Sequence, residues 1–424
     1  MKSILDKIFF RHNNLDYYSQ NIKDLTFKTS AYKIFDVINS FNSDSEIRYV
    51  GGCIRKIINK EKVDDIDLST NLEPNQVCEA LKKANINFYE TGKDHGTITA
   101  IIDEYKFEIT SLREDISTDG RHAKVKFSKD WKEDSSRRDF TINSIYADRE
   151  GNLFDPYNGK KDLENGLIKF IGNADKRIKE DYLRILRYFR FFLSYSKQPH
   201  DEKILKILKV NIDGISKLSK ERLFDELKKF IKLNILEQLN KDKSSLDFFL
   251  IIFPELKNIN VFSKLNSYKK DILEKIDPIF LLSLMIIDDS DNVDYFLYKY
   301  NISKKDQKRI KVINNFYRNK INSKTFLEND LNKIFYYEGI QSTLDIINFK
   351  IIKSKKFDKT LIDLVEKYKN RLTPEMPINA DTLMRKYKIP EGKQLGLKLK
   401  LIEEVWVDNN FDISDKQIEN IVNN

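Results

Sequence analysis

The sequence predicts an α+β protein: a small mixed α/β domain near the N-terminus, followed by an all-helical remainder. Two observations carry that prediction. From about Thr26 to Asp155, short apolar runs alternate with amphipathic stretches, whereas from Lys161 onward strand signals nearly vanish. A third narrows it: with 13 Gly and 8 Pro in 424 residues, the chain is too poor in turn residues for a turn-dense all-β fold.

Within the first region, strands are expected at Ile47–Val50, Asp64–Leu68, Gly96–Asp103 and Tyr105–Leu112. Helices are expected near Ala31–Phe41, Gly52–Asn59 and Pro74–Ala84, the last with Pro in its first turn. Further on, DYLRILRYFRFFLSY and ERLFDELKKFIKL carry apolar residues at three- and four-residue spacing, as helices packed on helices do. Pro374, Pro377, Pro390, Gly392 and Gly396 punctuate a tail before a last helix near Leu397–Trp406. No internal repeat or low-complexity linker is evident.

Composition excludes several classes. At 33% charged and 40% hydrophobic residues, the chain can bury cores and is not dominated by disorder. Cys53 and Cys78 are too few for a disulfide scaffold or a four-thiolate zinc site, and His12, His95, His122 and His200 offer no ligand cluster. Apolar runs such as Ile279–Ile287 and Phe248–Phe253 are far shorter than a membrane span, and MKSILDKIFFRHNN does not read as a signal peptide. A soluble protein of the cytoplasm, with no membrane and no obligate protein partner, is the expectation. The 75 Lys and Arg against 66 Asp and Glu leave +9, compatible with a nucleic-acid partner but equally with a Lys-, Ile- and Asn-rich composition.

Four segments carry chemistry. In YVGGCIRKIINKEKVDDIDLST, Gly51 and Gly52 make a tight turn between a strand and a helix, where backbone N–H groups can cradle phosphate, and Arg55 lies one turn further on. Asp65 and Asp67, two apart on a predicted strand, project from one face and repel unless a cation lies between them, a donor set that suits Mg²⁺. Three acids in a solvated turn, Asp64 included, are the plainer alternative. In YKFEITSLRED, Glu108 points opposite to Phe107 and Ile109; it is either a third metal carboxylate or an outward-facing strand residue. In SSRRDFTINSIY, Asp139 and Asn143 are four apart on one helical face beside Arg138, a set able to grip a ribose hydroxyl and a phosphate, or simply an exposed polar face. In KEDYLRILRYFRF, Asp181, Arg184, Arg187 and Arg190 recur every three residues. As a string this is a salt-bridged helix. An Asp acceptor beside an Arg donor also matches the Watson–Crick edges of cytosine and adenine, and leaves both groups unpaired against guanine and uracil.

Taken together and in this order, GGCIR, DDIDLST, FEITSLRED, RRDFTIN and EDYLRILR resemble the motifs of class II CCA-adding tRNA nucleotidyltransferases and bacterial poly(A) polymerases, within the DNA-polymerase-β-like nucleotidyltransferase superfamily. The resemblance runs over roughly Tyr49–Arg190. It implies a seahorse-like arrangement: a nucleotidyltransferase head (26–155), a nucleotide-selecting neck (156–235), a body (236–370) and a tRNA-binding tail (371–424). It implies Mg²⁺ on Asp65 and Asp67, with Glu108 as the third catalytic acid. Nucleotide binding then falls to Gly51, Gly52, Arg55, Arg138, Asp139 and Asn143, with Asp181 and Arg184 as the template and Arg187 and Arg190 toward the phosphates. DGRHAKVKF (Asp119–Phe127) resembles the loop that switches to adenine addition, DPYNGKKDL (Asp155–Leu163) the hinge, and SKERLFDELKK (Ser219–Lys229) a helix-stabilising neck motif. Two positions depart from the pattern: Lys56 stands where the family has Asp, and Tyr182 where a small residue or Pro is common.

The implied reaction is addition of CCA to the 3′ end of tRNA from CTP and ATP, with release of pyrophosphate by two-metal phosphoryl transfer. The rivals are a poly(A) polymerase and an enzyme that adds only A. The interval YETGKDHGTITAII has the GxxHGT core of CCA-adding members in place of the insertion usual in poly(A) polymerases. A non-catalytic RNA-binding scaffold of the same fold would have no physical reason to keep the two repelling carboxylates.

Overall fold

Burial that alternates along two adjacent strands builds the sheet that carries the site. In the computed structural model, which describes residues 17–118, 123–263, 265–319 and 328–423, the chain begins with helix α1 (residues 17–28) and α2 (Ala31–Asn39). There follow β1 (Ile47–Val50), α3 (Gly52–Ile58), β2 (Ile66–Thr70), α4 (Pro74–Lys83), β3 (Asn87–Gly92), β4 (Thr97–Ile102) and β5 (Tyr105–Ser111). The hairpin β6 (Arg113–Thr118) and β7 (Ala123–Phe127) forms a separate two-stranded sheet. Then come α5 (Trp131–Ser136), β8 (Tyr146–Ala147), β9 (Leu153–Phe154), α6 (Gly159–Glu164), α7 (Ala174–Glu180), α8 (Leu183–Tyr195), α9 (Glu202–Val210) and α10 (Lys220–Phe230).

The main sheet has the order β3-β4-β5-β2-β1-β8-β9. Its neighbours pair antiparallel except β2 and β5, which run parallel with Asp67 opposite Glu108. Ile98, Ala100 and Ile102 of β4 and Phe107 and Ile109 of β5 point into the core, where α2 presents Ala31, Ile34, Phe35 and Ile38 at helical spacing. Phe35 lies 5.0 Å from the Tyr49 ring, whose hydroxyl is 2.8 Å from Thr26 Oγ1. Truncating Phe35 to Ala would cost about 3–5 kcal/mol. Burying one strand face against helices leaves the opposite face, with Asp67 and Glu108, for chemistry.

Several expectations shift. The acid-bearing strand starts at Ile66, not Asp64, so Asp65 stands on the approach to the strand and not within it. Asp139 and Asn143 do not lie on a helix: α5 ends at Ser136, and the chain bends into a single 3-10 turn over Thr141–Asn143. Asp181 is not on the arginine helix either; it closes α7 in extended conformation (φ −155°), and α8 begins only at Leu183. β3 went unread because Asn87–Gly92 is a largely exposed edge strand with little apolar alternation. DGRH (119–122) lies outside the described residues, as does His12.

Contacts group the chain into two units that meet in sequence at Glu226 and Leu227. The second unit is helical among its described residues. Helix Pro278–Ile286 is its centre: every residue from Ile279 to Ile286 is buried, and Asp277 caps its start by accepting from the Ile279 and Phe280 amides. Buried charges there are paired, Glu255 with Lys299 and Asp345 with Arg309. A terminal cluster of Ile378, Leu383, Ile389, Leu395, Ile402 and Ile418 draws on helices Ala380–Tyr387, Lys393–Asp408 and Asp415–Asn423. The helix read near Leu397–Trp406 is therefore not the last. Among the described residues, no helix is long and apolar enough to cross a membrane.

Candidate active site

At the C-terminal end of β1 the chain reverses through Gly51, whose positive φ of 65° favours glycine. A Cβ on Gly52 would lie 3.4 Å from Asp67 Oδ2, so the turn rests directly on that carboxylate. Asp67 is half-buried, with Glu108 beside it in register and both on the sheet face away from the core. Burial first, and then the neighbouring Glu108 and Asp65 charges, push the Asp67 carboxyl above its ordinary range, against the pull of Arg138 and Arg55. A buried carboxylate pressed by two neighbouring acids is what a cation relieves. Among the described residues no three acids, histidines or cysteines form a ready-made cage. Oxygen donors of this number still fit a hard divalent ion that takes its remaining ligands from phosphate and water.

Behind Asp67 lies a buried polar bracket. Arg138 donates through Nε to Tyr146 Oη (2.9 Å) and through Nη2 to Asp134 Oδ2 (3.1 Å) and Ser69 Oγ (3.3 Å). Asp134 is 0% exposed, also pairs with Arg137, and accepts from Tyr146 Oη at 2.7 Å. Burial alone would raise its carboxyl, but Arg138, Arg137 and the tyrosine hydroxyl hold it at about 2. Arg138 Nη1 would lie 3.6 Å from a Cβ at Gly51, so the bracket supports the glycine turn.

Beside the turn runs a second network. Arg187 Nε donates to Asp139 Oδ2 (2.5 Å), Asn143 Nδ2 donates to Asp139 Oδ1 (2.9 Å), and Arg55 Nη1 donates to Asn143 Oδ1. Against the cost of its burial, the Arg187 guanidinium and these hydrogen bonds hold Asp139 far below the usual carboxylate range. Arg55 is thus supported by Asn143, while Lys56, at the departing position, pairs with Asp64. Asp139 and Asn143 are neighbours as their spacing promised, through a 3-10 turn in place of a helix.

The template candidates occupy the junction of α7 and α8. Asp181 Oδ1 accepts from the Leu183 amide (3.1 Å), and Oδ2 accepts from Arg222 Nη2 of α10 (2.7 Å). Arg184 donates to Glu180 Oε2 (2.8 Å) and to the Arg177 carbonyl (2.7 Å). The Asp181 and Arg184 side chains therefore sit one turn apart with separate partners. Arg190 pairs with Glu226. Tyr182 fits because residue 214 is glycine: a Cβ there would fall 2.0 Å from Tyr182 Cδ1. Asp134, Arg222 and Glu226 escaped the sequence reading as site residues. The four-residue spacing of Arg222 and Glu226 in ERLFDE was a signal, but their partners are tertiary.

A family model described as the poly A polymerase head domain matches residues 47–169. The human protein named CCA tRNA nucleotidyltransferase 1, mitochondrial, is 33% identical over 388 residues, covering 88% of this chain and 85% of that protein. A CCA-adding enzyme of Lactobacillus johnsonii is 27% identical over 390 residues, covering 90% and 93%. Among solved structures, a Bacillus stearothermophilus CCA-adding enzyme in complex with CTP superposes with a TM-score of 0.63 at 18% identity, covering 91% of this chain and 93% of that one. A Thermotoga maritima CCA-adding enzyme complexed with tRNA gives 0.53, also at 18%, and both show the shared fold of mixed-sheet head and helical remainder. The 33% identity to the human protein over most of both chains, on a chain that carries the glycine turn, paired acids and arginine network, settles the family: this protein belongs to the CCA tRNA nucleotidyltransferases, enzymes of nucleotidyl transfer.

Proposed function

We propose that the enzyme completes tRNA by adding C, C and A to its 3′ end from CTP and ATP, releasing pyrophosphate at each step. The observation that carries this reading is the in-register pair Asp67 and Glu108, with Asp65 on the approach and the Gly51-Gly52 turn resting on Asp67. Asp65 and Asp67 would hold Mg²⁺, which when bound supplies charge neutralisation at the triphosphate and a lowered pKa for the attacking 3′-hydroxyl. The chain's own residues do the rest by positioning. The glycine turn lets backbone approach the phosphates, and Arg138 keeps that turn and Asp67 in place. Asp139 and Asn143, locked by Arg187 and Arg55, present fixed polar atoms toward a ribose. Glu108 accepts the hydroxyl proton or strengthens the metal field as third acid.

Asp181 and Arg184 would read the base edge, accepting from the exocyclic amine of cytosine or adenine and donating to the ring nitrogen. Both are engaged in this conformation, by Arg222 and Glu180, so an incoming base exchanges places with those partners. Arg187 and Arg190 would extend positive charge toward the phosphates. The head (26–155) would perform the chemistry, the neck (156–235) select the nucleotide, and the body (236–370) and tail (371–424) hold the tRNA. We place the reaction in the cytoplasm, to be checked by fractionation, since the human relative's name carries a mitochondrial designation.

Incubating purified protein with tRNA lacking its 3′ end, tRNA ending in CC, or an oligo(A) primer, each with CTP, ATP or both, tests the proposal. CCA completion of the first supports it. Long A tracts on the primer would instead make it a poly(A) polymerase, and addition to the CC-ending tRNA alone an A-adding enzyme.

A further inference from the structure

Phe191 of α8 has no role in the chemistry described above, yet three guanidinium groups surround its ring. Arg190 lies 4.2 Å, Arg55 4.6 Å and Arg187 5.4 Å from its centroid. The ring is 2% exposed and packs edge-on against Phe140, next in sequence to Asp139, at 5.6 Å. Arg187, Phe191 and Tyr195 fall on one helical face at four-residue spacing, and Tyr195 flanks Arg55 at 5.3 Å.

Two of the three cations have carboxylate partners, Asp139 for Arg187 and Glu226 for Arg190. Arg55 has no carboxylate within ion-pair distance among the described residues and acts on Asp67 only through space: it is 8% exposed, its side chain donates to the neutral Asn143 amide, and its buried Nε has no hydrogen-bond partner. A nearly buried guanidinium with no direct ion pair needs something to hold it, and the π face of an aromatic ring attracts cations without cancelling their charge.

We infer that Phe191 is a positioning residue for nucleotide binding, a ring that holds Arg55, Arg187 and Arg190 together and keeps Arg55, which has no direct ion pair, ready for the triphosphate. The inference rests on the nucleotidyl-transfer reading of this site and deepens it. A leucine at 191 would keep the apolar volume but lose the π face, whereas tyrosine would keep the ring.

The test uses the full chain. Phe191→Leu should raise the KM for CTP and for ATP about tenfold, with kcat within about threefold and the KM for tRNA unchanged. Calorimetry should show binding of inorganic pyrophosphate, with Mg²⁺ present, weakened by a similar factor, and Phe191→Tyr should restore both to within about twofold. Pyrophosphate binding that is unchanged in Phe191→Leu, or lost equally in Phe191→Tyr, overturns the inference, as does a wild-type protein that binds no pyrophosphate. Should Phe191→Leu fail to fold, Arg55→Lys carries the test: it keeps the charge but loses the planar face that stacks, and should give the same loss, with wild-type binding overturning the inference. Wild-type protein that binds pyrophosphate but adds no CCA would sink the functional reading and leave the hub standing.

Discussion

Replacing Asp134 by Asn probes the bracket that holds together the face proposed for catalysis. The side chain is 0% exposed and meets Arg137, Arg138 and Tyr146. Lowering a carboxyl from its ordinary 3.8 to about 2 corresponds to roughly 2 kcal/mol of stability by linkage. Because the folded-state value is the lower one, this contribution is complete above pH about 4 and is lost as pH falls toward 2. Asn also leaves two arginines without their shared counter-ion, which brings the expected loss at pH 7 to about 3–5 kcal/mol. The two tryptophans, Trp131 and Trp406, fall in different units. In a Trp406→Phe background, urea unfolding followed by fluorescence therefore reports the first unit through Trp131, whose ring lies 5.4 Å from Tyr146. The difference between that background and the same chain carrying Asp134→Asn should shrink as pH falls from 4 toward 2. A loss below about 1 kcal/mol at pH 7, or one indifferent to pH across that window, would refute the bracket.

Other consequences are as direct. Asp67→Ala should abolish nucleotide addition without lowering the melting temperature, because it removes a carboxylate that its neighbours destabilise; undiminished incorporation would remove Asp67 from the metal site. Asp181→Ala should let UTP or GTP be incorporated where wild type refuses them, and unchanged rejection would count against the template. Gly214→Ala should destabilise by about 1–3 kcal/mol, since its Cβ would overlap the Tyr182 ring, and Tyr182→Ala in the same chain should recover part of that. Additive losses in the denaturation double-mutant cycle would show that the two positions do not meet.

What the sequence disclosed follows from how local each signal is. The glycine turn was legible because Gly51-Gly52 must reverse the chain between a strand and a helix. Alternation showed that Glu108 faces away from Phe107 and Ile109, but its pairing with Asp67 was not legible, because strand neighbours far apart in sequence are chosen by the tertiary fold. Asp139 and Asn143 were placed together for an inexact reason: a four-residue spacing brings side chains close on a helix, and here a 3-10 turn does the same. The boundary at Asp181 was hidden because strong helix formers stand on both sides of it, Glu180 before and Leu183, Arg184, Leu186 and Arg187 after. The break comes from the Asp181 carboxylate accepting the Leu183 amide and the Arg222 guanidinium, the second contact reaching across 41 residues. Asp134 was invisible for a related reason. In KEDSSRRD it is one acid among several charges, and only the folded chain shows that it is sealed beneath Arg138.

Central to the proposed function is that side chains, without a nucleic-acid template, dictate both which nucleotides are added and where addition stops. The direct measurement is to offer tRNA lacking its 3′ end all four nucleoside triphosphates at once and to sequence the new 3′ termini. Selection by the protein predicts C, C and A in that order and then termination, whatever the ratio of the four. Termini containing U or G, or A tracts that lengthen with time, would contradict it.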